Sequence, residues 1–226
     1  MPDPSNAPLP VVVLISGRGS NLQAIIECTQ AGKLPIEIRA VISNRPDAGG
    51  LQHAGAAGIP VETVDHTDYA DRAAFDRALQ ARIDHYRPGL VILAGFMRIL
   101  TPAFVAHYHG RMLNIHPSLL PQFPGLDTHR RAIESGCTEH GASVHFVTAD
   151  TDGGPVILQT RVPVMPDDTA DSLAARVLEQ EHRLFPLAIL WFAQGRIHMD
   201  ERARAVLDEI PLESPREMHS AGEAPC

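Results

Sequence analysis

Asn114 and His116, two positions apart in the segment MLNIHP that closes an apolar run, are well placed to do chemistry. On a strand, residues i and i+2 share a face, and open α/β sheets carry their active sites at the carboxyl ends of strands. Two polar groups aimed together from an apolar strand need partners to offset their desolvation. Asp152, in the turn Ala149–Gly154 (ADTDGG) between two later predicted strands, meets His116 if that turn lies beside the first strand. The three types suit addition of a nucleophile to a carbonyl carbon. Asn114 supplies an N–H to a developing oxyanion. His116 supplies a second, its charged form favoured by a nearby carboxylate, and Asp152 relays a proton directly or through water.

A second chemical signal is SGRGSN, residues 16–21, placed directly after the first apolar run and before a helical pattern. Glycines permit a tight turn, and the helix start presents unpaired N–H groups to an anion. The loop is not a dinucleotide fingerprint. Leu22 occupies the third glycine position, where close helix–sheet packing needs a small residue. The second strand ends Ile42-Ser43-Asn44, with no acid for a ribose diol. The GK[ST] signature of a P-loop is also missing, so a phosphate monoester is the expected ligand, with Ser20 and Asn21 as extra donors. A tight turn of purely structural purpose would use the same glycines.

No metal is expected. His107, His109 and His116 are close in sequence, but neither an HExxH pattern nor a cysteine pair accompanies them. Cys28, Cys137 and Cys226 are far apart and odd in number, which predicts neither a zinc ribbon nor a disulfide framework and suits a reducing compartment. A formal charge of −8 without a basic run excludes an electrostatic nucleic-acid surface. The N-terminus lacks a signal-peptide pattern, and no apolar run reaches the ~18 residues of a membrane span. A soluble cytoplasmic protein is expected.

The elements that must position these residues alternate. Strands are predicted at 11–16, 36–43, 61–64, 90–94, 112–115, 143–148 and 156–164. Helices are predicted at 21–32, with Ser20 or Asn21 as N-cap, and at 48–57, 69–86, 102–107, 128–135 and 169–195. This order predicts βαβ units and a mainly parallel sheet, and the short link between the last two strands predicts an antiparallel hairpin. Residues 1–10 and 211–226 lack periodicity and are expected to be disordered, leaving one domain over 11–210.

The segment Asn114–Pro124 (NIHPSLLPQFP) with Gly125 resembles the signature of folate-dependent formyltransferases. The likeness extends to LISGRGSNLQAII, LAGFMRILTPAFV, GRMLNIHPSLLPQFPGLDTHRRAIESG, EHGASVHFVTADTDGGPVILQ and RVLEQEH. In order and spacing these five blocks resemble the glycinamide ribonucleotide formyltransferase family over about residues 11–210. The resemblance implies a single-domain Rossmann-like formyltransferase fold, with a mainly parallel central sheet, an antiparallel C-terminal hairpin and helices on both faces.

It also implies roles that spacing alone does not. The reaction is transfer of a formyl group from 10-formyltetrahydrofolate, a co-substrate, to the amine of glycinamide ribonucleotide in purine synthesis, without a metal. Asn114, His116 and Asp152 match the catalytic residues. Gly17, Arg18, Gly19, Ser20 and Asn21 match the phosphate loop, and Leu178, Glu179, Gln180 and Glu181 the ribonucleotide contacts, with Glu181 as the candidate for the amino end. Arg72, Met97, Arg98, Ile99, Leu100, Asn114 and the loop Thr148, Ala149, Asp150, Thr151 and Asp152 match the folate site. Ser143 and His145, on one face of their strand, are expected to support the trio or simply to be satisfied core residues. Glu181 could equally pair with Arg183 or Arg176, and Arg72 could be a solvated surface residue. The expected partners are the two small substrates, with no nucleic acid or membrane, in a monomer or weak homodimer.

Three other readings fit less well. A methionyl-tRNA formyltransferase would need an RNA-binding extension, and a formyl-folate hydrolase a regulatory domain for which a glycine loop starting at residue 17 leaves no room. An idle phosphate-binding module would not need the intact trio.

Overall fold

Parallel strands covered on both faces need apolar side chains at every position. Val11–Ile15 meets that demand, and all five residues are fully shielded from solvent in a computed structural model of the chain. The structure describes residues 7–218 and 225–226. The chain divides into two units, Met1–Leu113 and Asn114–Cys226.

The first unit runs β1 (Leu9–Ile15), α1 (Ser20–Gln30), β2 (Ile36–Ser43), α2 (Gly50–Ala56), β3 (Val61–Thr63), α3 (Arg72–His85), β4 (Leu90–Leu93) and α4 (Pro102–His107), and ends inside β5 (Met112–His116). Its strand order is β4-β1-β2-β3, all parallel. Each fully buried Val, Leu or Ile here contributes about 1.5–3 kcal/mol relative to exposure. The strand β1 opens at Leu9, two residues earlier than expected. Pro10 is tolerated near a strand start, and its carbonyl accepts the Gly89 N–H at 2.8 Å. The helix α3 starts at Arg72 rather than at residue 69, because Asp71 caps it through the Ala74 N–H at 2.7 Å.

The second unit holds the end of β5, α5 (Thr128–Glu134), β6 (Glu139–Phe146), β7 (Val156–Pro163), α6 (Ala170–Ala193), β8 (Ile197–Met199), β9 (Ala205–Leu207), β10 (Ile210–Pro211) and β11 (Arg216–Glu217). The order in its larger sheet is β5-β6-β7-β11, and β8, β9 and β10 form a small separate sheet. The expected antiparallel hairpin is β6–β7. The buried stripe Leu173, Val177, Leu184, Phe185, Ala188 and Ile189 of α6 supplies core in this unit, and α6 is entered through a capping box between Thr169 and Ser172.

The strand β6 begins four residues before the expected start and ends two before the expected end. Its polar opening Glu139-His140-Gly141 hides the strand, and at its end a Cβ on Gly154 would lie 1.8 Å from the Phe146 carbonyl oxygen. That approach turns the chain at Phe146 rather than at Thr148. Of the segments expected to lack order, residues 1–6 and 219–224 lie outside the described residues. Residues 216–217 instead pair in parallel with β7, held by the Arg161–Glu217 ion pair at 2.9 Å and by burial of Met218. Two residues carry no periodicity, so only the tertiary pairing reveals the strand. Cys137 is free, whereas Cys28 is disulfide-bonded, contrary to the expectation from the cysteine spacing.

His140 of β6 and His129 of α5 face each other, with His129 Nδ1 and His140 Nε2 3.2 Å apart. Burial, and then the neighbouring His129, push His140 down to about 4 from an ordinary 6.5. Burial lowers His129 as well, with His116 a smaller cause. A histidine held neutral in the folded state stabilises fully above its unfolded value, and this contribution is lost as pH falls below it. The unfolding free energy should therefore drop by an amount on the order of 2 kcal/mol as pH falls from about 6.5 towards about 4. Denaturation of His140→Gln across this window should give a shallower fall. The same slope in the variant would remove His140 as the cause.

Candidate active site

In the second unit, β5 projects Asn114 and His116 to one side, as the i, i+2 spacing requires. His116 is 6% exposed. Its Nδ1 lies 3.4 Å from Asp152 Oδ2, and its Nε2 lies 3.0 Å from the Phe123 carbonyl oxygen. A carbonyl only accepts, so Nε2 carries a proton. Asp152 is positioned from the other direction by the turn after β6. It sits in the left-handed region at φ 52, a conformation that Asp adopts more readily than most residues. Its Oδ2 accepts the Gly125 N–H at 2.8 Å.

His145, on β6, completes the cluster. Its Nδ1 donates to the Phe146 carbonyl at 2.8 Å, leaving Nε2 to accept from Asn114 Nδ2 at 3.0 Å. Burial is the main cause of a lowered His145 pKa, so the ring is neutral and keeps the acceptor lone pair that Asn114 uses. This contact fixes which end of the Asn114 carboxamide is nitrogen and leaves its second N–H for another acceptor. His145 Nε2 is also 3.8 Å from Asp152 Oδ1. The structure thus brings Asn114, His116 and Asp152 together, and His145 enters as the residue that orients Asn114. Ser143 is fully buried, and its hydroxyl donates to the Ser118 carbonyl at 2.6 Å. Phe123 and Gly125, which clamp the pair through backbone groups, were missed in the sequence because backbone contacts leave no mark on residue type.

The remaining residues matched to the folate in this unit are graded in exposure. Thr148 is half-buried, and Ala149, Asp150 and Thr151 are exposed. On α6, Glu181 is buried, Leu178 and Gln180 are half-buried and Glu179 is exposed. Of the surface pairings considered for Glu181, Arg176 binds Asp168 at 2.7 Å and Arg183 binds Gln180 at 3.2 Å.

In the first unit, the loop Gly17–Asn21 leads from β1 into α1. Gly19, rather than Ser20 or Asn21, is the N-cap, in the left-handed region at φ 80. A Cβ there would lie 2.4 Å from the Gly50 Cα, so the start of α2 packs directly under the loop. The Gly50 N–H donates to the Gly17 carbonyl at 3.1 Å. A glycine N-cap has no side chain to occupy the first-turn N–H groups, which suits an anion. Gly17 and Arg18 are exposed, Ser20 is half-buried and Asn21 is buried.

The segment Met97–Leu100 is tied to the same loop. The Met97 N–H donates to Ser16 Oγ at 2.7 Å, and Ser16 Oγ donates to Asn44 Oδ1 at 2.5 Å. At the other end, the Thr101 N–H donates to Asp76 at 2.6 Å. The segment leaves Met97 and Ile99 exposed at 67% and 56%, while Leu100 is buried. Arg98 stacks over the Phe75 ring at 5.3 Å, and Arg72 stands exposed at the first turn of α3.

Residues 9–189 match the family described as Formyl transferase. Phosphoribosylglycinamide formyltransferase of Escherichia coli (strain K12) is 58% identical over 193 residues, covering 85% of this chain and 91% of that protein. The protein of the same name from Haemophilus influenzae is 44% identical over 191 residues, covering 84% and 90%. The solved structure of phosphoribosylglycinamide formyltransferase from Coxiella burnetii in complex with CHES has a TM-score of 0.90 at 53% identity, covering 94% of this chain and all of that one. With residues 9–189 inside the family and identity of this order over most of its length, the chain belongs to the formyl transferases, among the phosphoribosylglycinamide formyltransferases.

Proposed function

We propose that the protein transfers the formyl group of 10-formyltetrahydrofolate to the amine of N1-(5-phospho-D-ribosyl)glycinamide, giving formylglycinamide ribonucleotide and tetrahydrofolate in purine biosynthesis. The observation that carries this reading is the joined set Asn114, His116 and Asp152, with Asn114 oriented by His145.

The substrate amine adds to the formyl carbon, forming a C–N bond and placing negative charge on the formyl oxygen. The second N–H of Asn114 donates to that oxygen. Nε2 of His116 is occupied by the Phe123 carbonyl, so Nδ1, at the longer 3.4 Å from Asp152, serves as the second donor. Asp152 takes the proton lost by the attacking nitrogen, directly or through a water. That proton goes to the folate nitrogen as its bond to the formyl carbon breaks, and the charges balance.

The Gly17–Asn21 loop and the start of α1 hold the substrate phosphate, Arg18 adds local positive charge, and Leu178–Glu181 contact the ribonucleotide. Arg72, Met97–Leu100 and Thr148–Asp152 hold the folate. In a chain of net charge −8, an anion site needs such a local concentration of donors.

Binding and proton chemistry should separate on substitution. His116→Ala and Asp152→Asn are expected to lower kcat by about 10²–10⁴-fold, with ribonucleotide affinity nearly unchanged by calorimetry. Loss of ribonucleotide binding in both folded variants would contradict the division of roles. Gly19→Ala, whose methyl meets Gly50, should instead raise the ribonucleotide KM by about tenfold or more, equivalent to ~1.4 kcal/mol, and change kcat much less. A Gly19→Ala enzyme with wild-type KM would remove the loop from phosphate binding.

A further inference from the structure

Gln159 is a buried carboxamide, 5% exposed, on a strand whose neighbours Ile157 and Leu158 are core. It lies directly opposite Ser143 in the β6–β7 ladder. Its Nε2 donates to the Leu120 carbonyl and to Ser143 Oγ, both at 2.8 Å. The same Ser143 hydroxyl accepts the Leu120 N–H at 3.0 Å and donates to the Ser118 carbonyl. Both polar groups of Leu120, four residues past His116, are therefore held by one side-chain pair. The position of Gln159 is itself fixed from behind, where its carbonyl accepts the Met218 N–H beside β11 at 2.9 Å.

The loop rooted there carries the two backbone groups that clamp the reacting pair. The Phe123 carbonyl receives His116 Nε2, and the Gly125 N–H holds Asp152 Oδ2. Between root and tip, Ser118 Oγ donates to the Gln122 carbonyl at 2.6 Å. Every link from Gln159 to His116 and Asp152 is thus a hydrogen bond or a few residues of backbone.

We infer that Gln159 is a positioning residue for formyl transfer: by bracing the root of the 118–125 loop it sets the His116–Asp152 geometry without touching substrate. The inference rests on the proposed function. A displacement of about 1 Å at reacting groups can cost on the order of 100-fold in rate, and removing the amide leaves a buried carbonyl without its donor.

The test uses Gln159→Met, similar in volume but without donors, and Leu158→Ala, which removes core from the opposite face of the same strand. Gln159→Glu, of the same shape, replaces Gln159→Met if that variant does not fold. In Gln159→Met, kcat should fall by about 10–100-fold, and both KM values should stay within about threefold, ~0.7 kcal/mol. Hydrogen exchange should quicken in residues 118–126 and not in α6. Leu158→Ala should lose stability and keep kcat well below its unfolding temperature. Wild-type kcat and wild-type exchange at 118–126 in the Gln159 variant would overturn the inference, as would an equal loss of kcat in Leu158→Ala. A wild-type protein without ribonucleotide-dependent transfer would sink the proposed function instead, while exchange at 118–126 would still decide whether Gln159 holds the loop.

Discussion

A carboxylate removed from water must find its partners inside the protein, and Asp152, with its side chain 11% exposed, sets that requirement for the second unit. One oxygen is met by the Gly125 N–H and by His116, and the other points towards His145. Satisfying the first ties the turn after β6 to the end of β5 and the loop that follows it. The turn reaches that position only through a left-handed Asp152 and through Gly154, packed where no side chain fits. Residues held in sparsely populated backbone regions persist where their surroundings over-determine them, and Asp152 is surrounded by such constraints.

Two histidines of one cluster take different parts because their surroundings differ. His145 is buried beside a backbone carbonyl and kept neutral, so it can only direct Asn114. His116 faces an oxygen from each ring nitrogen, one a carbonyl and one a carboxylate. In the first unit the constraint is steric. The glycines at 19 and 50 let two helix starts touch, which leaves the amides of α1 open to an anion.

Much of this was legible in the sequence. Unbroken apolar runs marked β1 and β4, and the i, i+2 spacing of Asn114 and His116 set them on one side of β5. Asp152 was identified by its place in a polar turn, and the five blocks pointed to the family. What stayed hidden depends on contacts rather than on local pattern. The strand β11 exists through its pairing with β7, and the polar opening of β6 masks its start. Phe123 and Gly125 act through backbone groups that any residue possesses. Gln159 reads as one polar residue in an apolar strand until its partners are known.

The defining feature of the proposed reaction is transfer to the ribonucleotide amine rather than to water. The most direct measurement mixes the protein with 10-formyltetrahydrofolate and glycinamide ribonucleotide and follows tetrahydrofolate and formylated ribonucleotide together. Equal amounts of both products are expected, with no folate turnover when the ribonucleotide is left out. Deformylation of the folate in its absence would contradict transfer to the amine and make the protein a hydrolase.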